Sequence, residues 1–215
     1  MAQIFSKSAN MIPVITLLLI ILLVLGGISF FWYYGSPKFT DVGYRPDQPV
    51  DYSHKLHAGD LGMDCRYCHY QVEKSRHSNI PPTKVCMNCH SLIGLDKETL
   101  DPVRESFANN TPIEWIRVHN LPEYAYFDHS LHLRSGVACI ECHGNVAMME
   151  KVQQVEPLSM GWCLDCHRDP ASHLRPPSQV TNMYWSPPKG HDEWAQSFIQ
   201  ENQINPPEDC SACHR

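Results

Sequence analysis

Five stretches constrain this chain more than anything else in it: CRYCH beginning at Cys65, CMNCH at Cys86, CIECH at Cys139, CLDCH at Cys163 and CSACH at Cys210. Each is Cys-x-x-Cys-His, and all ten cysteines of the 215-residue chain lie inside them. His makes up 13 of 215 residues. Five of five Cys pairs would be followed by His by chance with a probability on the order of one in a million. Two thiols three residues apart sit on one side of a helical turn. From there they can reach the two vinyl groups of one porphyrin, and the following His can ligate its iron from one face.

Zinc and disulfides compete poorly for this pattern. Five Cys pairs do not divide into four-thiolate sites, and zinc does not require His after every second Cys. A disulfide across so short a loop gains little. The pattern therefore predicts five covalently bound haem c groups. Their attachment residues are Cys65 and Cys68, Cys86 and Cys89, Cys139 and Cys142, Cys163 and Cys166, and Cys210 and Cys213. The proximal iron ligands are His69, His90, His143, His167 and His214.

Haem on this scale sets the expected fold. The N-terminal 45 residues take a disproportionate share of the apolar side chains, and the remainder, with most of the 17 prolines, is poor in core-forming runs. Five haems over roughly 170 residues is about one per 35, so the porphyrins have to serve as the core. The expected fold class is mostly irregular with short α-helices: one N-terminal transmembrane helix plus a pentahaem c-type domain whose core is haem. The formal net charge is −6 and no basic patch stands out, which argues against nucleic acid as a partner.

Residues 11–34, MIPVITLLLIILLVLGGISFFWYY, carry no charge and are long enough to cross a bilayer as a helix. Phe30, Phe31, Trp32, Tyr33 and Tyr34 form an aromatic collar where the helix would meet the interface. A cleaved signal has a shorter apolar region ending in a small-x-small site; neither is clear here, so an uncleaved anchor is expected. Lys7 precedes the helix while Lys38 and Arg45 follow it, which leaves the positive-inside count ambiguous. Haem attachment takes place outside the bacterial inner membrane. A single-pass inner-membrane protein is therefore expected, with residues 1–10 cytoplasmic and the haem domain periplasmic.

A Pro/Gly-rich segment, 35–50, reads as an extended linker. Beyond it, Tyr52-Ser-His54-Lys-Leu-His57 is followed by seven residues, the Cys65 motif, sixteen residues and the Cys86 motif. Phe127-Asp-His129-Ser-Leu-His132 is followed by six residues, the Cys139 motif, nineteen residues and the Cys163 motif. This is one pattern used twice. It divides the periplasmic domain, 51–215, into a first dihaem unit (51–95), a connector (96–125), a second dihaem unit (126–175) and a single-haem segment (176–215). Short helices are expected over 96–110, with Leu100, Val103 and Phe107 on one side, and over 191–202, with Trp194, Phe198 and Ile199 together. Pro81-Pro82 and Pro206-Pro207 keep the chain extended before two of the motifs.

Imidazole is a strong sixth ligand for haem iron, and Met is the main alternative. His54 and His57, and His129 and His132, recur at the same place in both repeats, and in an H-x-x-H turn each pair can serve two different haems. His77 and His119 are further candidates. His173 and His191, in polar Pro-rich segments, read as ordinary surface residues. Where the first repeat has His77, the second has Met148 and Met149, so one haem can be His/Met, with Met149 ahead of Met160 and Met183. Such a haem would be the high-potential end of the set.

The run YGSPKFTDVGYRPDQPVDYSHKLHAGDLGMDCRYCH, together with SRHSNIPPTKVCMNCH, IRVHNLPEYAYFDHSLH and EPLSMGWCLDCHR, resembles the pentahaem cytochrome c subunit (ActA type) of alternative complex III, over nearly the whole chain. The resemblance implies an electron-transfer subunit of a membrane quinol-oxidising respiratory complex. It implies as partners an iron–sulfur subunit, polysulfide-reductase-like membrane subunits and a monohaem cytochrome c, with electrons leaving to a periplasmic cytochrome or a terminal oxidase. The dihaem units resemble class III (c3/c7) multihaem cytochromes. In these the first His of an H-x-x-H pair ligates the nearby haem and the second a more distant one, which would assign His54 and His129 to the Cys65 and Cys139 haems.

Two other readings compete. One is a membrane-anchored quinol dehydrogenase cytochrome feeding a periplasmic reductase. The apolar helix carries no internal charge or His for a quinol site of its own, which favours a partner subunit. The other is a multihaem enzyme of the nitrite-reducing kind. That requires an iron with an open position and commonly an altered attachment motif, whereas all five motifs here keep His. No substrate-turnover site is expected in this chain.

Overall fold

The computed structural model describes residues 4–214, and the chain divides into two compact units, 1–41 and 42–215. In the first, a short 3₁₀ turn (Lys7–Met11) runs into a 23-residue α-helix, Ile12–Tyr34. Pro13 sits in its first turn, where a missing N–H costs nothing. The helix is about 34 Å long, its mean hydropathy reaches 2.9, and none of its side chains is buried. The helix is long and apolar enough to cross a membrane, and a signal sequence passes the same test of length and composition. It ends where Gly35 N–H donates to Phe31 O (2.9 Å) and the Ser36 hydroxyl donates to Tyr33 O (2.7 Å).

The expected extended linker begins differently. Pro37–Thr40 forms one helical turn, because Pro37 is pre-set for a first helical position and the Phe39 ring packs on Tyr34 at 4.6 Å.

The second unit is made of short helical pieces joined by irregular chain. Among the described residues its only β pairing is two isolated bridges, Ala125 with His214 and Val137 with Leu174. Two of its helices, Asp101–Asn109 and His191–Glu201, lie inside the two segments where periodicity placed them. The first buries Val103 and Ser106 and stops at Asn110, whose φ of 51° is left-handed. The second buries Ala195 completely and stacks Trp194 on Phe198 at 5.0 Å. The buried apolar side chains are few and mostly Val and Ala, with Leu174 the largest that is fully enclosed. Protein side chains alone make a thin core for a unit of this length. Its main cluster joins Val72, Leu133, Ala138 and Val180, with Cys139 and Ile140 packed against it.

The two repeats differ in the turn that carries the His pair. In the second, His129–Arg134 is an ordinary α-helical turn capped by Asp128, whose carboxylate accepts from Ser130 N–H at 2.8 Å. In the first, Lys55–Asp60 is a π-turn, closed by Leu61 N–H donating to Leu56 O at 3.0 Å. The first repeat has seven residues between its His pair and its motif where the second has six. The wider turn absorbs the additional residue and keeps the His pair and the motif in step, as π-bulges do. Each repeat then turns into its motif through a glycine three residues ahead, Gly62 (φ 64°) and Gly136 (φ 85°).

At Gly136 a Cβ would also stand 2.5 Å from Arg175 O, across the Val137–Leu174 bridge. Gly136→Ala is expected to cost at least about 1–2 kcal/mol through the left-handed φ and the forced separation of those backbones. Gly62→Ala, with nothing within 4 Å, should pay for φ alone. Thermal unfolding of the two variants checks that order.

Candidate haem-attachment and iron-ligating site

All five Cys-x-x-Cys pairs lie on helical turns: Cys65–Cys68, Thr83–His90, Cys139–His143, Met160–Arg168 and Cys210–Cys213. The turns begin where the sequence supplies a start. Asp64 accepts from Arg66 N–H (2.8 Å), Ser159 from Trp162 N–H (3.3 Å) and Asp209 from Ala212 N–H (3.1 Å), while extended Pro82 precedes Thr83. The guanidinium of Arg66 beside Asp64 holds that carboxyl down at about 2. Asp64, Pro82, Ser159 and Asp209 thus fix where four of the Cys-bearing turns begin.

The histidines show how the chain prepares imidazoles for a metal. Among the motif histidines, Nδ1 of His69 donates to Asn79 O (2.7 Å), His90 to Ile93 O (3.2 Å), His167 to Pro207 O (2.7 Å) and His214 to Tyr124 O (3.2 Å). Among the others, Nδ1 of His57 donates to Ser53 O (2.9 Å), His129 to Arg76 O (2.8 Å) and His132 to Asp128 O (2.7 Å). A carbonyl only accepts, so in all seven Nδ1 carries a proton, and in the neutral ring the lone pair is left on Nε2. This is the second-shell arrangement that orients a ligating His. Burial reinforces it. Desolvation lowers His143 to about 3, helped by His119 and His129 nearby, so the ring stays in the neutral form that a metal needs.

Ring positions follow the repeat. His57 lies 6.1 Å from His90, and His132 lies 6.1 Å from His167, centre to centre. His129 lies 6.4 Å from His143 with the planes only 9° apart. A metal ion held between two opposed imidazoles at about 2.0–2.1 Å separates the ring centres by roughly 6 Å. The aromatic residue that opens each repeat positions its His pair in the same way. Tyr52 is 4.8 Å from His54 and 4.5 Å from His57, and Phe127 is 4.8 Å from His129 and 4.4 Å from His132.

The remaining candidates are placed less uniformly. His54 is lowered to about 4 by burial and then by His69 and His57; its Nδ1 is buried with no partner. His119 is also lowered to about 4 by burial, and its Nε2 is buried with no partner. Its ring abuts His143 edge-on at 4.2 Å, too close for a metal between them. His77 is exposed and, among the described residues, has no ring contact with another His. The half-buried Met149 brings its terminal methyl to 3.4 Å from where a Cβ on Gly144, next to His143, would stand. Met160 is exposed, Met183 is buried, and Met148 accepts from the Tyr184 hydroxyl at 3.8 Å.

His191 departs from expectation. It is a buried structural residue, with Nε2 on Leu174 O at 2.8 Å and its ring between Trp185 and Trp194. His173 Nδ1 meets Glu141 Oε2 at 3.0 Å.

That contact belongs to a cluster that sequence reasoning missed. Glu141, between Cys139 and Cys142, also takes Arg175 Nη2 at 2.9 Å, and Arg175 is 5% exposed beneath the Trp185 ring. Arg76 lies 3.8 Å over Tyr126, and both Arg76 and Arg175 have a buried Nε without a partner. Unpartnered buried guanidinium donors beside the motifs suit the carboxylates of a porphyrin, as the free Nε2 atoms suit its iron. The residues present fit haem c.

Comparison with known proteins agrees. Residues 125–215 match the model of cytochrome c7 and related cytochrome c. The chain is 29% identical over 151 residues to the menaquinone reductase multihaem cytochrome c subunit of Nitratidesulfovibrio vulgaris, covering 69% of this chain and 65% of that one. It is 28% identical over 111 residues to the acrylate reductase cytochrome subunit of Shewanella woodyi, covering 52% of this chain and 68% of that one. The matches thus span about two thirds of each relative's length. Residues 125–215 are a cytochrome c7-like domain, which implies covalently bound haem c, and the chain is homologous to multihaem cytochrome c subunits of reductases.

Proposed function

We propose that this chain is the pentahaem electron-transfer subunit of a membrane quinol-oxidising complex of the alternative complex III type. It relays electrons from quinol-oxidising partner subunits to a cytochrome c or a terminal oxidase. One observation carries the reading: in both repeats the second His of the H-x-x-H turn stands 6.1 Å from a motif His. At that spacing both imidazoles could ligate one iron, which would suit electron transfer rather than substrate binding. In this assignment His57 and His132 complete the Cys86 and Cys163 haems, and His129 the Cys139 haem. His54, His119, His77 and Met149 supply the rest. The thin protein core supports five haems as the filling of residues 51–215. Ile12–Tyr34 serves as an uncleaved anchor, with its N-terminus cytoplasmic and the haem domain periplasmic.

Haem supplies one-electron chemistry, and the chain holds its ligands neutral and oriented. Oxidation of one quinol to quinone at the partner releases two protons and two electrons, which leave one at a time to two oxidised cytochromes. A second reading is favoured by the acrylate reductase relative: an anchored cytochrome that itself takes electrons from quinol and feeds a periplasmic reductase. Purification from membranes separates the two. Co-isolation with other subunits, and haem reduction by quinol only in the complex, is the expected result. A lone chain whose haems are reduced directly by quinol overturns the first reading in favour of the second.

A further inference from the structure

We infer that the five attachment motifs are strung through the domain in the spatial order Cys86, Cys65, Cys139, Cys163, Cys210, so that the Cys86 and Cys210 motifs are the two ends of the electron path. The inference rests on the proposed electron-transfer role and adds to it the order in which the chain arranges its sites.

Each step stands on contacts between neighbouring motifs. The second motif meets the first through their spacer residues, Asn88 Nδ2 donating to the Tyr67 hydroxyl at 3.1 Å. The His54/His57 turn adjoins the second motif, with His57 opposite His90 at 6.1 Å. The first motif meets the third on one short backbone stretch. Cys139 N–H donates to Val180 O at 3.1 Å, Cys65 Sγ lies 4.0 Å from Thr181 O, and the Thr181 hydroxyl donates to Asp64, the cap of the Cys65 turn, at 3.1 Å. Nδ1 of His129, which faces His143, is held by Arg76 O just beyond the first motif. The third and fourth motifs share one turn, with His129 opposite His143 and His132 opposite His167. The fourth leads to the fifth. His167 Nδ1 donates to Pro207 O at 2.7 Å, and Arg168 pairs with Glu208 at 3.1 Å, immediately ahead of Cys210.

Exposure marks the same two ends independently. Of the ten thiols, two are exposed: Cys89 in the Cys86 motif and Cys210 in the last one. The first two motifs are therefore transposed relative to the sequence. The chain lays down an internal site, passes outward to make an end, and returns through residues 91–123 to extend the path in the other direction. Haem bound at the motifs would supply one-electron transfer between neighbouring sites, with no bond made or broken.

The test uses the full-length chain in detergent. Haem per chain is measured by pyridine haemochrome, and the iron positions are then located by anomalous scattering, each iron assigned by the motif that tethers it. Five haems, with the Cys65 iron flanked by the Cys86 and Cys139 irons and the Cys210 iron beside the Cys163 iron alone, is the expected result. Five haems with the Cys65 iron at an end, or with the Cys86 iron next to the Cys139 iron, overturns the order and leaves the electron-transfer role standing. Fewer than five haems overturns both.

Discussion

Replacing His132 by Ala is expected to convert one haem of the five from a six-coordinate low-spin iron to an open one. The ferrous protein should then bind one CO per chain where the unaltered protein binds none, and about one fifth of the low-spin absorbance should be lost. The physical basis is the fixed geometry of the turn. Asp128 O holds His132 Nδ1 at 2.7 Å and Phe127 packs against the ring, which together fix it opposite His167. His57→Ala should give the same result at the Cys86 motif, because Ser53 O and Tyr52 hold that ring in the same way. His191→Ala is the informative control. Its Nε2 is committed to Leu174 O, so its loss should lower stability and leave the haem spectrum alone. An unchanged spectrum in both His132→Ala and His57→Ala would sink the ligand assignment.

Arg175→Leu should produce the largest loss of stability. It removes the buried partner of Glu141, the hydrogen bond to Asn182 O at 3.2 Å and the contact with the Trp185 ring, and it leaves a carboxylate between Cys139 and Cys142 facing His173 alone. Stranding one member of a buried ion pair costs about 3 kcal/mol. For a chain of this size that corresponds to a fall in Tm of roughly 6–12 °C. Glu141→Gln in the same background should restore part of it, because the stranded charge rather than the lost packing is then removed. Calorimetry of the single and double variants, with haem content measured alongside, checks both statements. Additive losses in the double variant would show that the pair is not coupled.

The attachment pattern was legible because covalent chemistry writes itself into sequence at fixed spacing. The His pairs were legible because they repeat. The apolar helix and the two amphipathic segments were legible from length and periodicity, and each lies within a residue or so of where those signals put it, apart from the later start, at Asp101, of the first amphipathic helix. What failed was anything decided by distant contacts. His191 sits in a polar, Pro-rich stretch that reads as surface, but two Trp rings and a carbonyl 17 residues away bury it. Glu141 looked like an arbitrary spacer, since its partner lies 34 residues on. The start of the 35–50 segment was read as extended, and Phe39 folding back on Tyr34 made it a turn.

Sequence alone determined where the five Cys-x-x-Cys-His motifs and the two H-x-x-H turns fall, because thioether and imidazole chemistry demands particular side chains a few residues apart, a distance over which the chain's own helical geometry rules. Tertiary structure alone decided which His faces which motif, how a π-turn accommodates one surplus residue, and in what order the motifs follow one another in space. The motif order depends on backbone segments far apart in sequence meeting at Arg76, Val180 and Thr181, from Cys139 with Val180 to Cys65 with Thr181. Such meetings are fixed by packing and hydrogen bonding in three dimensions, and no local spacing encodes them.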